Sequence, residues 1–187
     1  VDRVVFNGPG DSADVAGAAS LTANAGEYDQ ITAFDTAGAD RIAFDLTTTA
    51  ANGGFNLVSN QVQVSGTGGA TDATRGGIVL IGNNDIVASA DALNMTKVVT
   101  GLGTAATLSA GVAVGTQLVF AVDTTDKVGL YLWTAGTAAD TTVQDTELRL
   151  LAQFQDDNDV GGGLINSTVQ NIADVTGAGA LLTGSGH

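Results

Sequence analysis

The chain contains no cysteine, so disulfides and thiolate chemistry are both unavailable to it, and a small disulfide-stapled secreted scaffold is excluded. Histidine occurs once, as His187, in a Gly184-Ser185-Gly186-His187 ending that reads as a linker running into a tag. Ser-His-Asp triads, Cys-His dyads and His-ligated zinc are therefore out of reach. Basic residues are scarce: six Lys and Arg stand against twenty Asp and Glu, a formal net charge of −14, which leaves no electrostatic footprint for nucleic acid. With one Trp, two Tyr and six Phe there is little from which to build the aromatic platforms of a carbohydrate cleft, although paired carboxylates for glycoside hydrolysis are plentiful. No window approaches the ~18 uninterrupted apolar residues that a membrane-spanning helix needs, and no N-terminal stretch has the basic-then-apolar shape of a cleaved leader. A first residue of Val suggests a piece of a longer protein.

What is present is small, apolar or acidic. The chain is 44% hydrophobic, too apolar for a disordered acidic tail, so it folds. Its 187 residues suit one compact domain. Eighteen of the twenty acidic residues are Asp. Asp is a poor helix former, but its short carboxylate reaches turn backbone and hard cations.

Periodicity favours strands. Val4-Val5-Phe6, Ile42-Ala43-Phe44, Val62-Gln63-Val64, Ile78-Val79-Leu80-Ile81, Leu118 to Val122, Val128 to Trp133 and Leu148 to Ala152 are short apolar or alternating runs between Gly, Asn, Asp and Thr clusters. The expected fold is all-β, a β-roll or β-sandwich-like stack of short strands. Short helices are few, with Ser89 as a candidate N-cap over 89–93 and Ser109 as a weaker one. Pro9 is the only proline, so turns fall to Gly and Asn, as in Asn52-Gly53-Gly54 and Gly161-Gly162-Gly163. The Gly-rich stretches lack the G-x-x-x-x-G-K-[ST] pattern of a phosphate loop. Phe34, Phe44, Phe120 and Trp133 sit in apolar runs and read as core, and Thr141-Thr142 as strand residues on a wet face.

Within the single domain, residues 1–46 read as one strand-rich part, 47–115 as a looser middle, 116–183 as a hairpin-rich block and 184–187 as the tail. Asp29-Gln30-Ile31-Thr32-Ala33-Phe34-Asp35 and Asp40-Arg41-Ile42-Ala43-Phe44-Asp45 share a pattern, Asp followed by an alternating stretch ending in an aromatic. They are expected to stack in register with their Asp residues at the corners. That spacing makes Asp29, Asp35, Asp40 and Asp45 the first candidate group for Ca²⁺, which takes six to eight oxygens in flexible geometry. Asp140, Asp145 and Glu147 form a second candidate group, without the D-x-D-x-D-G spacing of an EF-hand. Asp156-Asp157-Asn158-Asp159 reads as a solvated turn, because contiguous side chains point in different directions.

Asp2-Arg3-Val4-Val5-Phe6 is similar to the "D-x-F-V-F" strand that closes the calcium-binding repeat array of RTX-type proteins. The 29–35 and 40–44 stretches resemble the family's "D-x-I-x-D-F … G-x-D-x-I-x-L" segment, with Ala33 where a second Asp often stands. Leu118 to Val122, Leu130-Tyr131-Leu132-Trp133 and Glu147-Leu148-Arg149-Leu150 resemble strands that follow such arrays in bacterial surface-layer proteins and large adhesins. The G-G-x-G-x-D-x-U-x nonapeptide itself does not occur. The resemblance implies a module flanking an array: extracellular, at the cell surface, exported by the type I secretion machinery and folding when calcium becomes available. It further implies a non-enzymatic, structural role in export, attachment or self-assembly, with a cell-surface glycan as a possible partner. The alternatives are an accessory C-terminal domain of a secreted hydrolase and a calcium-dependent carbohydrate-binding module.

Overall fold

A computed structural model describes residues 3–6, 9, 29–34, 41–44, 54–58, 62–65, 69–81, 86–124, 127–156 and 181–183. Among these, the chain is mainly β, with one eight-residue α-helix. The strands are β1 (Arg3–Phe6), β2 (Asp29–Phe34), β3 (Arg41–Phe44), β4 (Val62–Ser65), β5 (Ile78–Ile81), β6 (Thr107–Val112), β7 (Gln117–Asp123), β8 (Val128–Thr134), β9 (Asp140–Thr142), β10 (Leu148–Asp156) and β11 (Leu181–Thr183). The helix, α1, spans Met95–Leu102.

Six strands form the main sheet in the order β2-β10-β8-β7-β5-β4. Its centre, β7-β8-β10, is antiparallel, and the flanking pairs β2/β10, β5/β7 and β4/β5 are parallel. β1-β3-β11 make a three-stranded sheet, and β6-β9 a two-stranded ribbon. Strands β5 and β7 are buried at every position and β8 at all but its last. A sheet covered on both faces reads in sequence as unbroken apolar runs, which is how 78–81, 118–122 and 128–133 look.

Alternation sorts those runs into two cores. Val79, Ile81, Leu118, Phe120, Val122, Tyr131 and Trp133 face one layer, where Met95, Val98 and Leu102 of α1 pack. Ile78, Leu80, Val119, Ala121, Leu130 and Leu132 face the other, which holds Phe6 of β1, Phe44 of β3 and Phe55. Phe44 is central to that layer: its ring stacks on Phe6 at 5.5 Å and meets Phe55 edge-on at 5.4 Å. In β10 an irregularity between Leu150 and Ala152 shifts the register against β8. Without it, Leu148, Leu150, Ala152 and Phe154 would share a face. With it, Leu148 and Leu150 join the helix-covered core, while Ala152 and Phe154 join the phenylalanine core.

Three expectations are corrected. The 29–34 and 41–44 strands do not stack on each other: β2 pairs with β10 in the main sheet and β3 with β1 and β11 in the small one. Ser89 does not cap a helix; it starts a 3-10 turn, Ser89–Asp91, whose N-cap Ala88 has no side-chain acceptor. The helix begins after Asn94, whose side chain accepts from Lys97 N at 3.2 Å. Ser109 lies inside β6. The middle stretch supplies β4, β5, α1 and β6, and through them two strands of the main sheet and the helix that covers it.

Candidate functional site

The second carboxylate group falls within the described residues, in the chain that leaves β8 and returns as β10. Glu147 ends a 3-10 turn (Asp145–Glu147) and enters β10 directly. Its Oε2 accepts the indole N–H of Trp133 at 2.9 Å and its Oε1 accepts the backbone N–H of Gly136 at 3.0 Å. The carboxylate thus closes the loop between the strands by joining both sides of it. A Cβ at Gly136 would displace Glu147 Oε1, the mobile end of that side chain, from its place against the Gly136 N–H. Asp145 points elsewhere: its Oδ2 accepts the Thr96 hydroxyl at 2.5 Å and pins the turn to the first turn of α1.

Asp140 opens β9 and is only 4% exposed. Its Oδ1 accepts the Thr142 N–H at 3.2 Å, while Oδ2 is buried with no partner among the described residues. The residue before it, Ala139, is the one non-glycine among the described residues at positive φ, +56°. Thr141 and Thr142 are exposed, as strand residues on a wet face are expected to be. Asp140, Asp145 and Glu147 are not gathered: among the described residues no group of three or more His, Cys, Asp or Glu could hold a metal ion.

Of the first candidate group, Asp29 begins β2, and Asp35, Asp40 and Asp45 lie outside the described residues. Asp156 ends β10, and Asp157, Asn158 and Asp159 also lie outside. Asp29 and the 41–44 strand are in different sheets.

Sequence reasoning overlooked two further polar sites. Asp72 Oδ1 accepts the Thr74 hydroxyl at 2.7 Å, the Thr74 N–H at 2.9 Å and the Ser109 hydroxyl at 3.4 Å. The Thr74 hydroxyl, then its N–H, and more weakly Ser109 and Arg75, hold the Asp72 carboxyl below its ordinary value. The Asp-x-Thr spacing of an Asx turn was the available signal. The second is a shallow groove of about 270 Å³ lined by Ile86, Val87, Ala88, Asp91, Lys97, Thr100 and Gly101. Lys97 and Asp91 pair across it at 2.7 Å. Gly101 permits the close approach of α1 to Ile86, for a Cβ there would strike the Ile86 carbonyl and side chain.

Trp133, Phe120 and Phe44 are fully buried, so these three rings belong to the cores. No helix among the described residues is long and apolar enough to cross a membrane. The chain's six Lys and Arg are Arg3, Arg41, Arg75, Lys97, Lys127 and Arg149. No protein-family model, curated protein or solved structure matches the chain.

Proposed function

We propose that this chain is a calcium-stabilised structural module of an exported bacterial surface protein, serving export, attachment or assembly and performing no reaction. The excess of acid over base carries the reading. Twenty Asp and Glu stand against six Lys and Arg, and eighteen of those acids are Asp. Like charges in such excess repel, and a hard divalent cation outside the cell relieves that repulsion with the oxygen ligands Asp supplies. Asp29, Asp35, Asp40 and Asp45 are the proposed ligands, on their spacing in the sequence. The packing of Phe6 and Phe44 from the small sheet under the main one supports the sandwich-like form of the fold over a roll. Export by the type I machinery and an extracellular, cell-surface location follow from the family resemblance of the 2–6, 29–44 and 118–150 stretches.

Calcium titration during thermal unfolding tests the proposal. Extracellular calcium modules bind with Kd of about 0.1–1 mM. At about ten times Kd, one site adds about 1.4 kcal/mol, which for a chain of this size raises Tm by about 3–6 °C. Several sites add further. A Tm that stays the same in calcium and in excess chelator refutes the reading.

A further inference from the structure

The β6-β9 ribbon carries a buried acid at its irregular end. Asp140 is 4% exposed; its Oδ1 accepts the Thr142 N–H, while Oδ2 is closed off from solvent and has no hydrogen-bond partner among the described residues. The residue lies in an unbroken described stretch, 127–156, and its strand partner β6 in another, 86–124. Between the pairs Thr107↔Thr142 and Val112↔Asp140, residues 108–111 of β6 stand opposite the single residue Thr141 of β9. A bulge of this kind takes main-chain groups out of the ladder. Gly111 lies inside it and makes room for the Ala139 carbonyl, which would come within 2.7 Å of a Cβ at that position. Ala135 and Val143, on either side of Asp140 in the chain, belong to the helix-covered core, so the carboxylate sits at the margin of an apolar layer.

Burying a carboxylate oxygen without a hydrogen bond or a counter-ion is costly, and buried charges are in general paired or bound to a metal. We propose that Asp140 Oδ2 anchors a single-carboxylate cation site at the β6-β9 bulge, with main-chain carbonyls and water completing the shell. Carboxylate, carbonyl and water oxygens suit hard cations. Among these, Ca²⁺ takes six to eight oxygens in flexible geometry, whereas Mg²⁺ demands a near-ideal octahedron and dehydrates reluctantly. One charged ligand sets the affinity at the weak, millimolar end of calcium sites. The site is separate from the 29–45 ligands and rests on the calcium reading for the identity of the ion. It also differs from the three-acid group expected from the sequence, because Asp145 is bound to Thr96 and Glu147 clamps Trp133 to Gly136.

Asp140→Asn keeps the size of the side chain and an oxygen for the Thr142 N–H, and removes the charge. Calcium is titrated calorimetrically into the full chain as wild type, Asp140→Asn and Asp145→Asn, and each is melted in chelator and in millimolar calcium. The expected result is one calcium fewer in Asp140→Asn and the wild-type number in Asp145→Asn. The order of stability also reverses: in chelator Asp140→Asn melts at or above wild type, because a buried unpaired charge is gone, and it gains less from calcium than wild type does. Hydrogen exchange on the wild type needs no variant to fold, and calcium is expected to slow it in peptides spanning 107–112 and 139–142. Equal stoichiometry in wild type and a natively folded Asp140→Asn overturns the inference, as does loss of the same site in Asp145→Asn or exchange in those peptides that ignores calcium. A water at Oδ2 in place of an ion gives the first of these results, with Asp140→Asn at least as stable as wild type in both conditions. Calcium binding that survives Asp140→Asn refutes this site alone, whereas a wild type that binds no calcium refutes the calcium reading and this site together.

Discussion

Replacing Glu147 by Ala removes two hydrogen bonds, and the two are not equal. The Gly136 N–H lies in an exposed loop, where water takes the place of the carboxylate at little cost. The Trp133 N–H belongs to a residue with 0% exposure, and its partner is the one that makes it tolerable in the core. Leaving a buried donor unsatisfied costs about 1–3 kcal/mol, and the lost bond is to an ionised acceptor, worth about 1.5–3 kcal/mol net. The two figures describe the same loss from opposite sides and are not summed, so Glu147→Ala is expected to destabilise by about 2 kcal/mol. That corresponds to a fall in Tm of about 4–8 °C. Denaturant unfolding followed by far-ultraviolet circular dichroism measures it. A double-mutant cycle with Trp133→Phe isolates the bond: once the indole N–H is gone, Glu147→Ala loses most of its effect, giving a coupling of about 1 kcal/mol or more. A Glu147→Ala variant within about 0.5 kcal/mol of wild type, the range of an ordinary surface change, refutes the clamp.

Three further outcomes follow from single contacts. Gly101→Ala drives a Cβ into the Ile86 carbonyl, a backbone atom that cannot rotate away, so α1 must shift from the Ile86–Val87 segment; a loss of about 1–3 kcal/mol is expected by denaturant titration, and an unchanged midpoint contradicts the close approach. Tyr131→Phe deletes the hydroxyl that donates to the Ala92 carbonyl at 2.7 Å inside the core, leaving a buried acceptor unpaired at about 1–3 kcal/mol, again read from the unfolding midpoint. Asp72 has a depressed pKa in the folded chain, so the stabilisation it gives is present above its unfolded value of about 3.8 and fades as pH falls through the lower folded value; Asp72→Asn removes that contribution, lowering stability modestly at neutral pH and hardly at all below the folded value, so the acid limb of the stability profile flattens.

Runs 78–81, 118–122 and 128–133 could be read as strands because both of their faces are buried, so every residue, and not every second one, is apolar. Pairing was harder to see. The 29–34 and 41–44 stretches share a pattern, yet they join different sheets, and nothing in a local pattern tells which neighbour a strand will find. Helix α1 was hidden by its composition: Thr96, Val98, Val99, Thr100 and Gly101 are all weak helix formers. Met95, Val98 and Leu102 nevertheless keep the helical spacing, and burial of those three against the sheet outweighs the poor propensity. The bulge in β10 left a trace as well, in the adjacent Leu150 and Leu151, where strict alternation would have required a change of character.

The acidic residues were legible as a class and not as individuals. A carboxylate near a turn looks the same in sequence whether it waits for a cation, caps a backbone N–H or accepts from an indole. Glu147 illustrates the difference that structure makes: one of only two glutamates, it occupies a position where the longer side chain spans from the start of β10 to both Trp133 and Gly136. An aspartate is one methylene shorter, so Glu147→Asp keeps the charge while withdrawing the carboxylate from at least one of the two donors. If length is what the position selects, Glu147→Asp destabilises nearly as much as Glu147→Ala, and Glu147→Gln, which preserves reach and one acceptor oxygen, costs less than either. If charge is what matters, the order of the aspartate and glutamine variants reverses, and the same unfolding titration reads the answer.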